Sequence, residues 1–384
     1  MAKIVIGADI CPIGDNRPYF ERGDAEALFG NLLPRFQEAD LVVANLECPF
    51  IERPSPIRKT GPIFGAPGSC AEALRRAGIG LLALANNHIL DHGAAGLHHT
   101  LEVCRSAGIA TVGAGENLID AARPFVWEAP GLRIAFLAMA EHEFSIAGVD
   151  RPGANPLDLI SLVRTVRAKA AEWDHWIVLY HGAAEFQPVT PRVQRLCRFL
   201  IELGATAVLV QHPHALGGWE RYQHGYIVYG QGALVMDEEI YRNKPGFHEG
   251  FLVQLELESG KQAQMECIPF RQSKPVPGAR LLDPLEADAW RQRMEQRNRC
   301  VSDPAFVVAE WLRFCEDRRH GALSTVLGHG PILSQLNRTG WIERFWVGER
   351  RLRGVCNMVL CETHREMLQT VFDRWWFSPG GTPL

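Results

Sequence analysis

The ten cysteines form no framework: they are scattered over 384 residues without a single Cys-x-x-Cys pair. This excludes a disulfide-stapled scaffold and a thiolate zinc knot, and predicts reduced thiols. A surplus of charge is missing as well. Forty Lys and Arg against 44 Asp and Glu leave a net charge of -4, which supplies no drive toward nucleic acid or anionic lipid. No apolar run approaches the ~18 residues of a spanning helix. The opening Met1-Ala-Lys-Ile-Val-Ile-Gly-Ala-Asp9 meets an acid too early to be the apolar core of a signal peptide. The expectation is a cytoplasmic chain with no membrane span and no nucleic-acid partner. Internal repeats and low-complexity tracts are also missing, which sets aside solenoids and biased linkers.

What remains is an ordinary globular composition, 47% hydrophobic and 22% charged, in a chain long enough for two domains. Short buried-type runs predict strands at Ile4–Ala8, Leu41–Leu46, Gly80–Ala85, Arg133–Ala138, Trp176–Tyr180, Ala207–Gln211 and Tyr226–Tyr229. Helical spacing falls between them at Ser69–Ala77, Ala95–Ser106, Leu157–Ala171 and Pro191–Leu203, the last opened by Thr190-Pro191. Alternating strands and helices predict a layered α/β domain with a partly parallel sheet. A hairpin over 250–258 and 262–268 is expected to close that sheet. From about Leu285 the texture changes: strands cease, lysine is gone after Lys274, and 6 of the 10 tryptophans occur. Segments Phe306–Cys315 and Glu362–Trp376 have helical spacing. Two domains follow, 1–272 and a mainly helical region 285–384, joined through Ser273–Gly278.

Polar residues fall in a pattern along these strands. Asp9 follows the first, Glu47 the second, Asn86-Asn87-His88 the third, His181 the Trp176–Tyr180 run, and His212-Pro213-His214 the Ala207–Gln211 run. All stand at carboxyl ends, the edge where ligands bind in α/β sheets. Taken singly, Asp9 or Asn87 reads as a helix cap, His181 as a core histidine, and His212-Pro213-His214 as a turn. Taken together, carboxylates, an amide and imidazoles at successive strand ends make a mixed N/O set suited to one or two divalent transition ions such as Mn, Zn or Fe. Arg17, Arg58 and Lys59 lie in loops after the first two of these strands and are candidate anion-binding groups, with solvated surface charge as the alternative. His142, between Glu141 and Glu143 at another strand end, is a candidate substrate-binding residue. The adjacent His98 and His99 point about 100° apart on a helix and read as surface.

The motifs Gly7-Ala8-Asp9, Asn45-Leu46-Glu47, Ala85-Asn86-Asn87-His88-Ile89-Leu90-Asp91-His92-Gly93, His181-Gly182 with Glu185, Gln211-His212-Pro213-His214 and Tyr229-Gly230-Gln231-Gly232 occur in this order. Over residues 2–270 this arrangement resembles the CapA family, named for poly-gamma-glutamate capsule synthesis and similar in fold to calcineurin-like metallophosphatases. The resemblance implies a layered α-β-β-α core, with the helical C-terminal region as an appendage.

It also implies roles. Glu47 would bridge two metals; Asn87, His181 and His212 would complete one position, and Asp9 and His214 would belong to the other. His88 would be the acid catalyst and Asp91 its orienting partner. Glu185 matches a family position in the cleft, open between metal and substrate. Cys11 stands where the metallophosphatase motif carries a histidine, so it is either a thiolate ligand or an apolar buried thiol, and one metal or two are both open. The activity implied is phosphoester hydrolysis of a small or oligomeric anionic substrate by metal-activated water. Hydrolysis or transfer at an amide or gamma-glutamyl bond, and a non-catalytic assembly role, are the alternatives. The C-terminal region is expected to shape the cleft, hold a partner or form a homo-dimer.

Overall fold

The computed structural model describes residues 1–328 and 330–339 and, beyond them, residues 342, 354, 355, 358, 359, 364 and 368. The strands that carry the core are β1 (Ala2–Ile10), β2 (Leu41–Leu46), β3 (Ile79–Ala83), β4 (Ala110–Val112), β5 (Phe125–Ala129), β6 (Leu132–Ala140), β7 (His175–His181), β8 (Ala207–Gln211), β9 (Trp219–Tyr222), β10 (Gly225–Val228), β11 (Ala233–Val235), β12 (Glu249–Leu257), β13 (Gln264–Gln272) and β14 (Ala279–Leu281). They form two sheets. The first runs β14-β13-β12-β1-β2-β3-β4, with β11 also paired to β1; the second runs β9-β10-β8-β7-β6-β5. Strands β1, β2, β3 and the edge strand β4 are parallel, as are β6, β7, β8 and β10. Strands buried on both faces need no polar alternation, which is why these segments read as continuous apolar runs.

Alternate residues of the second sheet face opposite ways. Ile134, Phe136, Ile177 and Leu209 join one core with Ile4, Ile6 and Val43 of the first sheet. Leu137, Val178, Val208 and Val210 join another with Leu162 and Val166 of α2 (Leu159–Lys169) and Leu196 and Leu200 of α3 (Pro191–Glu202). Short helices between Arg17 and Gln37, the Ala71–Arg76 helix, and α1 (Gly93–Ser106) bury Phe20, Leu28, Phe36, Leu74 and Leu97 into the first core. The result is the expected α-β-β-α layering. α3 starts where Thr190-Pro191 predicts: the Thr190 hydroxyl accepts from Val193 N at 3.1 Å, with proline at the first turn.

The hairpin forms, as β12 and β13, but it does not end the sheet. β12 lies antiparallel to the first half of β1, placing β1 inside, and β14 takes the edge.

Beyond these sheets, the chain divides into two compact units, Met1–Val308 and Ala309–Leu384. The change of texture at residue 285 therefore precedes the structural division. α4 (Pro284–Val301) belongs to the first unit: Trp290, 1% exposed, stacks on Trp219 at 5.9 Å, and Asn298 Oδ1 accepts from Trp219 N at 2.8 Å. A buried indole of this size fixes the helix to the sheet edge. Helical structure continues through α5 (Pro304–Val326) and Pro331–Leu336. The expected helix over 362–376 lies outside the described residues apart from positions 364 and 368. Among the described residues, no helix is long and apolar enough to cross a membrane.

Candidate metal centre

The carboxyl ends of β1, β2 and β3 in one sheet meet those of β7 and β8 in the other, and the site is built on that rim. At β1 the register against β2 shifts between Ile6 and Asp9, and the strand exchanges β12 for β11 at the same point. Such a bulge re-aims a side chain out of the regular alternation. The two backbone carbonyls at the exchange are capped by side chains: Gln231 Nε2 donates to Ile6 O at 3.0 Å and Gln211 Nε2 to Gly7 O at 3.3 Å. The Asp9 carboxylate accepts from Asn45 Nδ2 at 2.8 Å and from His212 N at 3.1 Å, and lies 3.3 Å from His214 Nδ1.

Glu47 follows β2, wholly buried. Its Oε1 lies 3.4 Å from His181 Nε2, 3.7 Å from His212 Nδ1 and 3.5 Å from His214 Nε2. His181 Nε2 also lies 3.0 Å from Asn87 Oδ1. His212 and His214 reach inward through a backbone that residues other than glycine seldom adopt, at φ 92° and 50°, strain of the kind that collects at functional sites.

The expected ligands Asp9, Glu47, Asn87, His181, His212 and His214 are thus brought together, and Glu185 joins them. Three overlapping triads have mutually close ligand atoms: Glu47–His181–His212, Asp9–Glu47–His214 and Glu185–His212–His214. Both Glu47 oxygens and the Nδ1 atoms of His212 and His214 are buried without a hydrogen bond. Orphaned polar atoms at this density are costly unless something else satisfies them, and a cation fits this donor set. The charges agree: although burial opposes ionisation, the surrounding histidines, His214 foremost, hold the Glu47 carboxyl well below its usual range. Against the same opposition, Glu47 and Asp9 raise His214 to about 9. Burial pulls His181 down.

Beside the triads lies a second constellation. His88 Nδ1 is 2.7 Å from Asp91 Oδ2, and Phe64 N donates to that oxygen at 2.7 Å. The Lys59 ammonium, its side chain 2% exposed, lies 2.5 Å from Asp91 Oδ1 and 3.1 Å from His88 Nδ1. Lys59 is therefore not a solvated charge: the buried carboxylate draws it in. Lys59, Asn87, His88, Glu185 and His212 all line a cleft of about 410 Å³.

Other candidates fall elsewhere. Arg17 sits on the first short helix, exposed and paired to Glu21 one turn on, at 2.7 Å. Arg58 and His142 are exposed and line neither cavity at the rim. Glu143 lines both cavities and Glu141 the smaller one, while Glu141 is tied to Tyr180 and Arg192; β6 ends at Ala140, and the bend that follows, in which Glu143 N donates to Glu141 O at 3.0 Å, leaves His142 exposed. Cys11 lies outside the three triads: its buried thiol pairs with Cys48, and burial pushes it well up, the behaviour of an apolar thiol. Two residues with no expected role emerge. Asn45 bridges Asp9 and, at 3.3 Å, His181 Nδ1, which its two-residue spacing from Glu47 on a strand could have signalled. Tyr241, a neighbour of Glu185 whose ring lies 5.3 Å from His214, carries no local signal.

Four layers with one rim of carboxylate, amide and imidazole groups define a layered α/β protein with a cluster able to hold metal. The chain belongs to the bacterial capsule synthesis protein family PGA_cap, whose model matches residues 3–238. It is 28% identical over 274 residues to the capsule biosynthesis protein CapA of Bacillus anthracis, covering 68% of this chain and 66% of that one. Against the PGA biosynthesis protein CapA of Bacillus subtilis it is 25% identical over 278 residues, covering 71% of each. A phosphatase structure from Mycoplasma pneumoniae aligns at 14% identity and a TM-score of 0.45, over 71% of this chain and 95% of that one, a likeness too weak to bear on activity.

Proposed function

We propose that the chain is a metal-dependent hydrolase cleaving a phosphoester in a small anionic substrate. The observation that carries this reading is the set of orphaned buried atoms on Glu47, His212 and His214 next to a histidine–carboxylate pair that opens on a cleft. Asp9, Glu47, Asn87, His181, His212 and His214 would hold one or two Mn, Zn or Fe ions. Such an ion supplies Lewis acidity, lowering the pKa of water and offsetting charge on a phosphoryl oxygen. Asp91 holds His88 through Nδ1, which leaves Nε2 to give a proton to the leaving oxygen. Lys59 compensates Asp91 and keeps the pair in place. Glu143 and Glu185 line the same cleft as Lys59, and Lys59 is paired to Asp91, so attraction for an anion would rest chiefly on the bound cation.

The likeness to the Bacillus subtilis PGA biosynthesis protein favours a second reading in which the same groups act at a gamma-glutamyl amide. The two separate on one panel of phosphate esters and gamma-glutamyl peptides, assayed on protein purified without chelator. We expect stoichiometric transition metal by elemental analysis, turnover of phosphate esters, and a loss of about 10²–10⁴ in kcat for His88→Ala. Metal-free protein, or His181→Ala with unchanged activity, would overturn the proposal; turnover confined to the peptides would move it to the second reading.

A further inference from the structure

We propose that Glu185, positioned by Tyr241, is a metal ligand that completes with His212 and His214 the cation position reached from the cleft. This rests on the metal-dependent reading above and specifies which side chains serve it.

Three observations carry the assignment. The ligand atoms of Glu185, His212 and His214 lie close enough to share one ion. His212 and His214 are 7% and 1% exposed, and the Nδ1 of each is buried without a hydrogen bond, so the triad has unused donors and not a closed network. The other two triads consist entirely of buried residues, whereas Glu185 is partly exposed and lines the 410 Å³ cleft together with His212. Three protein donors with an open side toward a cleft is the pattern of a catalytic ion, which keeps a position for water or substrate, and not of a structural one, whose ligands close around it.

Cys11 does not supply that donor: it belongs to none of the triads of mutually close ligand atoms. Tyr241 can position it. The phenol is 4% exposed with the Glu185 carboxylate as a neighbour, and its ring lies 5.3 Å from His214 and 5.1 Å from Phe186. One residue thus touches two members of the triad, packing on the imidazole and orienting the carboxylate. Partners of this kind tune a ligand and typically change metal affinity about 10–100-fold.

The test is metal binding by the full chain. Metal-stripped protein, titrated with Co²⁺ and followed by visible absorption and calorimetry, is compared with Glu185→Gln, Tyr241→Phe and His181→Ala; melting of each metal-free variant checks that it is folded. We expect Glu185→Gln to weaken one Co²⁺ position at least about tenfold and to alter its absorption, Tyr241→Phe to weaken the same position within the 10–100-fold range, and His181→Ala to act on the other position. Wild-type affinity and absorption in Glu185→Gln overturn the assignment. If His181→Ala loses metal while Glu185→Gln does not, the metal-dependent reading stands and only this assignment falls; if the wild-type chain takes up no Co²⁺ and no Mn²⁺, both fall.

Discussion

The amide of Asn45 stands between an acid and an imidazole that belong to different strands, donating to Asp9 and lying against His181 while Asn86 donates to its carbonyl at 3.1 Å. Asn45→Ala removes a buried partner from each of these groups, and leaving them unpaired costs roughly 1–3 kcal/mol. We expect that loss in urea denaturation, together with metal affinity about 10–100-fold weaker by titration. A variant with unchanged affinity would show that Asp9 and His181 hold their places without it. His214 offers a different handle. Its pKa is raised above the unfolded value of about 6.5, to about 9. Its contribution to stability in the metal-free chain is therefore complete below pH 6.5 and lost as pH rises through 9. His212, raised in the same direction, adds to the trend. Melting temperatures of metal-free protein should fall across that window, and a flat profile would contradict the charge state assigned to the site.

At the scale of elements, the decisive feature is the point where β1 exchanges partners. Gln231 fills it, donating to the carbonyls of Ile6 and Phe251 at 3.0 and 3.1 Å. This gives the Tyr229-Gly230-Gln231-Gly232 motif a structural purpose distinct from the metal. Gln231→Ala orphans two carbonyls and should cost roughly 1–3 kcal/mol, read as a lower denaturation midpoint with metal stoichiometry intact. Loss of metal without loss of stability would mean that the motif acts on the site directly. The sheet interior was legible in the sequence because doubly buried strands leave unbroken apolar runs, and the clustering of the candidate ligands was legible because each stands where such a run stops. The edge strands β5 and β9 were not: they are half-exposed and leave no such run. Nor was the nearness of Glu185 to Tyr241, which joins two loops with no periodicity, or the burial of Lys59, which depends on a carboxylate 32 residues away.

For the whole molecule, composition marked a boundary near residue 285, but packing moves it. The change of composition does not coincide with a change of packing: α4 is fixed to the first unit by Trp290, by Asn298 and by the Gln194 side-chain amide, which donates to Val301 O at 2.7 Å. A chain ending at residue 308 should fold and bind metal. One ending at 272 leaves Trp219 and Phe251 without Trp290, a loss of about 3–5 kcal/mol by the measure of buried tryptophan removal. Calorimetry of the two truncations decides it, and equal stability would return the boundary to the sequence-based position. The placement of β1 inside the first sheet has a consequence for synthesis as well. Ala2 pairs with Leu257, and Asp9 with Ala233, so β1 leaves the ribosome long before β11 and β12, and its sheet can close only when they follow. Contacts of such long sequence separation make folding slow and leave hydrophobic edges open in the interval. A nascent chain stalled before β12 would leave one edge of β1 open although β2 is already made, a stage of translation at which a chaperone would protect it.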